Sequence, residues 1–399
     1  MSTKGFSRRL TQIRKLRSAA PGWAKMAEFR TRQTSDGTDD ATCAWDKDRV
    51  VVKVGNRSFF IRSDAVCKAP EIWDFALFGL AAISSRTNRT IRVPAPVSAA
   101  AARMVETLNY AYTLWSIPSL SPPRLILENI VYAGSVSRRK DHKVICLSGG
   151  VDSTSSAIAA KAQAEYSHSL LVAGADYPTA DHPGFIDLRS RVERISDIIG
   201  LDLIVAETDF RNMPMHWELQ HSFMLAMCLN YIGKEFCEAS YALDAPPIHD
   251  VFQHPWGNGS ILMDIFGRGD LPLVAFGHTL RRGERVRAIH DADPELVRQL
   301  SVCWSDTSTG GNCGKCFKCV RTRDMLHCAG IPDIGLFECD SQEIPGLDDG
   351  IPRDYDVRMA IVTYMDWATT PGLKDDRRQQ LQQRIEKLRE SYVRQMPYR

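Results

Sequence analysis

The spacing of apolar residues along this chain changes several times, and each change marks a different element. Residues 49–54 and 57–62 are β-rich and flank Gly55-Asn56, which predicts a hairpin. A helix is expected over 70–83, a strand near 90–93, and a second helix over 97–115 with Met104, Leu108 and Tyr112 on one face. Residues 30–48 are polar, contain Ser35-Asp36-Gly37-Thr38-Asp39-Asp40, and read as a loop or linker. The proline-rich stretch 117–123 closes this N-terminal unit. From Lys143 onward, short apolar runs alternate with helical periodicity. Val144, Ile145, Cys146 and Leu147 read as a buried strand, 155–164 as an alanine-rich helix, and 170–173 as a second strand. Phe185, Leu188, Val192, Ile195 and Ile199 then fall on one helical face, 203–206 reads as a third strand, and 218–232 as another helix. The charged stretch 375–395 carries Leu381, Ile385 and Leu388 at helical spacing, the stripe of a docked surface helix or of a short coiled coil.

This alternation predicts an α/β fold, a doubly wound parallel sheet, preceded by a smaller N-terminal α+β domain. The expected divisions are a basic tail at 1–30, the α+β unit at 31–140, the α/β domain at 141–330 and a helical extension at 331–399. Right-handed crossovers would gather the loops after the strands on one rim. That rim would carry 148–154, Asp176-Tyr177, Asp209 and the segment 249–264.

Composition changes this picture little. At 44% hydrophobic and 25% charged, the 399-residue chain has the make-up of a soluble globular protein. A formal net charge of +2 supplies no global field for nucleic acid, and no apolar run approaches the length of a membrane span. The first 27 residues hold seven Lys and Arg residues and no acid (Lys4, Arg8, Arg9, Arg14, Lys15, Arg17 and Lys25). A solvated tail, a transit peptide, or a contact to RNA or an acidic partner all fit this start. Seven of the eleven cysteines are scattered: Cys43, Cys67, Cys146, Cys228, Cys237, Cys328 and Cys339. They read as reduced, mostly buried residues, which points to a reducing, cytoplasmic location.

Two motifs carry chemistry. The first is Ser148-Gly149-Gly150-Val151-Asp152-Ser153-Thr154, placed between a strand and a helix. Glycines without Cβ let backbone N–H groups close around an anion, and the helix start adds unpaired N–H groups and a favourable dipole. Asp152 is a candidate Mg2+ ligand or helix cap. The second is Cys313-x2-Cys316-x2-Cys319 with Cys303 nine residues before it. Four soft thiolates among Gly310, Gly311 and Gly314 suit a tetrahedral, structural Zn2+; an iron–sulfur site or two disulfides are the other readings of the spacing.

The 148–154 string resembles the pyrophosphate-binding loop of the ATP pyrophosphatases, whose signature is SGGxDS and whose fold is of the adenine nucleotide alpha hydrolase type. Together with the cysteines, and with Asn312-Cys313-Gly314-Lys315-Cys316-Phe317-Lys318-Cys319-Val320-Arg321-Thr322, it is similar to 7-cyano-7-deazaguanine synthase and its wider relatives over about 141–330. The resemblance implies binding of ATP by residues 148–154, with Asp152 and Ser153 catalytic. It also sets Asp176-Tyr177 where the synthase has an Asp-Tyr near the adenosine; a plain turn before Pro178 is the alternative. The activity implied is AMP- and pyrophosphate-forming ligation: a carboxylate or carbonyl acceptor is adenylated, then attacked by a nitrogen nucleophile. The acceptor would be a small 7-deazaguanine-type heterocycle or, as in relatives from bacterial defence operons, a macromolecule. A tRNA thiolase and an ATP-binding sensor without turnover are the competing readings. His249, Asp250, His254 and Arg321 are candidate substrate contacts; an ordinary surface loop with satisfied histidines is the other reading of 249–260. Arg281, Arg282, Arg285 and Arg287, interrupted by Glu284, form either a phosphate or RNA contact or a solvated face. Residues 1–140 have no counterpart in the compact synthase and are a candidate protein-binding surface.

Overall fold

The computed structural model describes residues 37–132, 141–253, 256–304, 311–332, 334–346 and 354–395. Among these residues nine strands form one mixed sheet, mostly parallel, in the spatial order β5-β4-β1-β2-β3-β8-β7-β6-β9. In chain order they are β1 (Thr38–Asp46), β2 (Arg49–Val54), β3 (Arg57–Ser63), β4 (Thr90–Ser98), β5 (Arg124–Val131), β6 (Lys143–Cys146), β7 (His168–Ala173), β8 (Asp202–Thr208) and β9 (Glu238–Ser240). The helices are α1 (Asp74–Thr87), α2 (Ala99–Trp115), α3 (Val151–Ala164), α4 (Pro183–Ile199), α5 (Trp217–Ile232), α6 (Pro247–Gln253), α7 (Ser260–Phe266), α8 (Arg282–Ala292), α9 (Pro294–Arg298), α10 (Phe317–Cys328), α11 (Asp354–Ala368) and α12 (Asp375–Gln395).

Alternation along the central strands builds two cores. Val144 and Cys146 of β6 face a core lined by α1, α2, α5 and α7, whereas Ile145 and Leu147 face one lined by α3, α4, α8, α10, α11 and α12. Leu170 and Val172 of β7 join the first core, Leu171 and Ala173 the second. A period of two with both faces buried is why these strands read as unbroken apolar runs. The stripe Leu381, Ile385 and Leu388 of α12 is buried in the second core, so this helix docks on its own chain.

The hairpin forms with Val54 opposite Arg57, its loop being Gly55-Asn56. The expected linker is different. Residues 38–46 are β1, which pairs antiparallel with β2 and parallel with β4. Its sequence hides this because only Ala41 is fully buried; strand pairing and an Asp39–Arg89 ion pair hold the polar remainder. The N-terminal strands also extend the α/β sheet: β3 pairs antiparallel with β8, Ile61 opposite Thr208. Asp209 accepts from the Phe60 N–H at 2.8 Å and so closes that junction.

β8, β7, β6 and β9 are mutually parallel. The chain steps from β6 to β7 on one side, and β9 later returns to pair with β6 on the other. The loop after β6 therefore stands at a topological switch point, where an open α/β sheet presents its crevice.

Candidate functional site

Gly149 has a left-handed φ of +74°, and a Cβ there would sit 3.2 Å from Val192 of α4, so the turn is seated closely on that helix. Gly150 is the N-cap of α3 in extended conformation and has no side chain to cap the helix. The first-turn N–H groups are thus left to another acceptor. Ser153 braces the turn: its Oγ accepts from the Ser148 N–H at 3.2 Å, lies 3.0 Å from Ser148 Oγ and donates to the Gly150 carbonyl at 3.2 Å. The Ser301 N–H donates to the Gly149 carbonyl at 2.9 Å, which ties the loop to the segment leading into the cysteines. Val151 and Thr154 are fully buried beneath it.

Asp152 lies in the first turn of α3 but neither caps it nor presents a vacant carboxylate to Mg2+. One oxygen accepts from Arg282 Nη1; the other accepts from Arg285 Nη1 at 2.7 Å. Two guanidinium groups at the carboxylate are a poor setting for a divalent cation. Burial alone would push this carboxyl up, but the two guanidinium groups outweigh it and hold Asp152 well below the usual carboxylate range. The solvated-face alternative for 281–287 is corrected for Arg282 and Arg285. Arg282 and Arg285 are buried, at 8% and 1% exposure, and only Arg287 of the four is an exposed residue. Arg285 also donates to the carbonyls of Leu243 at 2.8 Å and Leu280 at 3.0 Å.

Arg321 of α10 approaches the same cluster. It pairs with the buried Asp366 of α11, burial lowers its pKa, and it feels the charges of Arg282 and Asp152. His249 is half-buried within electrostatic range of Asp366, Arg281 and Arg321, and burial lowers its pKa as well. Asp250, by contrast, is a structural acceptor: it takes the Ser260 N–H at 2.8 Å and the Ser260 hydroxyl, fixing α6 to the start of α7. His254 lies outside the described residues. After β7, Asp176 is exposed, whereas Tyr177 is buried and stacks on His182 with ring centroids 5.3 Å apart. Burial pushes the Tyr177 hydroxyl up to about 12.

The sulfurs of Cys303, Cys313, Cys316 and Cys319 all lie within 4.8 Å of one another. A tetrahedral zinc with bonds of about 2.3 Å needs sulfurs about 3.8 Å apart, and Cys303 and Cys316 stand at 3.9 Å. The group could hold a zinc ion. Cys303, Cys316 and burial push the Cys319 thiol up; four sulfurs this close would lose their protons together only with a cation among them to offset the charge. Cys316 is the N-cap of α10, its N–H donating to Cys313 Sγ at 3.3 Å. Arg323 pins the loop through the carbonyls of Gly314 and Ser341, both at 2.8 Å. All eleven cysteines are free of disulfides, those of the cluster included; of the other seven only Cys146 and Cys228 are buried, and Cys67 and Cys339 are exposed.

Sequence reasoning missed Asp366, and it missed the burial of Arg282 and Arg285. Their partners lie 45 to 133 residues away, and no local pattern signals such pairings. Among the described residues no helix is long and apolar enough to cross a membrane. No family model, curated protein or solved structure matches the chain.

Proposed function

We propose that the chain is an ATP-dependent, AMP- and pyrophosphate-forming enzyme of the ATP pyrophosphatase type, one that adenylates a carboxylate or carbonyl acceptor for attack by a nitrogen nucleophile. The observation that carries this reading is the uncapped start of α3, behind a glycine turn at the sheet's switch point, beside two buried guanidinium groups that share one carboxylate. Helix N–H groups and excess positive charge suit a polyphosphate.

In this reading residues 148–154 bind the phosphates, with Ser153 holding the turn in shape. Asp176, exposed after β7, is an acceptor within the same rim for the nucleoside. A carboxylate resists attack because its charge and a poor leaving oxygen must both be displaced. Transfer to the α-phosphate supplies AMP as the leaving group, and the loop's part is positioning and charge stabilisation. Zinc held by the four cysteines would be structural, fastening the segment that follows Ser301 against the loop.

The test is incubation of pure protein and α-labelled ATP with separated metabolite, RNA and protein fractions. AMP formed with one fraction supports the reading and identifies the acceptor class. Tight ATP binding without AMP in any fraction would replace it with an ATP-responsive binding protein.

A further inference from the structure

We infer that Arg282 and Arg285 take the β- and γ-phosphates of ATP, and that Asp152 is the internal counter-ion with which those phosphates compete for the two guanidinium groups beside the glycine loop. This rests on the adenylation reading and assigns it a pyrophosphate-stabilising pair.

Two independent observations lead here. The first is a charge imbalance. Three guanidinium groups, Arg282, Arg285 and Arg321, converge on two carboxylates, and Asp366 serves Arg321. That leaves Asp152 to serve both arginines of α8. A guanidinium buried without its own counter-charge is costly, and an anionic ligand removes the cost. The second is unmet hydrogen bonding. Arg282 Nε and Arg285 Nη2 are buried and make no hydrogen bond among the described residues, and Thr154 Oγ1 and Ser155 Oγ in the adjoining turns of α3 are in the same state. Buried donors are ordinarily satisfied, so such a group beside an uncapped helix start calls for an acceptor rich in oxygen.

Asp152 occupies part of the space such an oxyanion would need, and it presents two oxygens to the same forks. Its carboxylate is the counter-charge that both arginines share before substrate arrives, and the incoming phosphates compete with it for them. In the transfer step the acceptor's ionised carboxylate oxygen attacks the α-phosphorus. The bond from that phosphorus to the α–β bridging oxygen breaks, and its electron pair departs on the oxygen with pyrophosphate. No proton moves. Negative charge develops on the bridging oxygen and its phosphates, where two preorganised guanidinium groups stabilise it.

A metal-ligand role for Asp152 makes the opposite prediction, so the two are separable. The experiment titrates the full chain with inorganic pyrophosphate, ATP and AMP by calorimetry, with thermal melts as a check on folding. Arg282→Gln should weaken pyrophosphate and ATP by at least about tenfold while changing AMP by less than about twofold. Asp152→Asn, which removes the competing carboxylate, should bind pyrophosphate as tightly as the wild type or more tightly. Equal weakening of all three ligands in Arg282→Gln, or weaker pyrophosphate binding in Asp152→Asn, would overturn the inference. Should Arg282→Gln fail to fold, the Asp152→Asn titration decides alone. A wild-type chain that binds neither ATP nor pyrophosphate would instead sink the adenylation reading itself.

Discussion

Asn312 fixes the position of Cys303: its Oδ1 accepts from the Cys303 N–H at 3.2 Å and from the Val302 N–H at 2.7 Å. Its Nδ2 donates to the carbonyls of Leu300 at 2.8 Å and Leu336 at 3.3 Å. One buried amide therefore joins the strand of chain before the cysteine loop to the segment after it. Asn312→Ala leaves several of those backbone groups unsatisfied and should cost about 3 kcal/mol. A chemical denaturation curve checks the cost. Zinc content measured on the same protein should fall, because Cys303 loses the contact that aims it.

The convergence of four sulfurs within 4.8 Å sets a second expectation. Elemental analysis of purified chain should find about one zinc per molecule. Cys319→Ser should lose the metal and melt at a lower temperature, since Cys319 is fully buried in the second core. A brown protein with stoichiometric iron and sulfide would show the iron–sulfur alternative to be correct.

How much of this was legible beforehand depends on how local the cause is. The run 144–147 announces a central strand because both faces of β6 are buried, and the glycines and hydroxyls after it announce a turn into a helix. The cysteine spacing is likewise self-contained. β1 was not legible, because its polar residues are held by neighbours on either side and not by a buried face. Arg282 and Arg285 looked like surface charge for the same reason: the carboxylate that makes their burial tolerable is Asp152, far away in sequence. The polar, glycine-rich setting of Asp250 suggests a substrate contact, but not the bond its oxygens make to a helix boundary ten residues on.

The turn after β7 offers a backbone test. Gly174 has φ of +99°, and a Cβ built there would lie 1.7 Å from the Thr208 carbonyl oxygen of β8. No rotamer relieves a clash of Cβ with backbone, so the strands must part or the turn must shift. Gly174→Ala should destabilise by more than about 2 kcal/mol. The Gly174 N–H also donates to the Tyr177 carbonyl at 2.8 Å, so the variant should disturb Tyr177 as well. Thermal unfolding and the near-ultraviolet circular dichroism of the aromatic groups would report both effects.

Acid should act through Asp152. A carboxyl whose folded-state pKa is depressed stabilises the fold above its unfolded value, about 3.9, and that contribution disappears as pH falls through the folded value. Asp152 is depressed by Arg282 and Arg285, so its contribution is complete at neutral pH and declines on acidification below about pH 4. The wild-type chain should therefore be more stable than Asp152→Asn from pH 5 to 7, by about the worth of its charge-assisted hydrogen bonds. The gap between the two should narrow steadily as the solution is made more acidic. Urea denaturation of both proteins from neutral pH down to about pH 2, below the unfolded value, measures it. A gap independent of pH would mean that the carboxylate's charge, and with it the arginine clamp, contributes nothing to the fold.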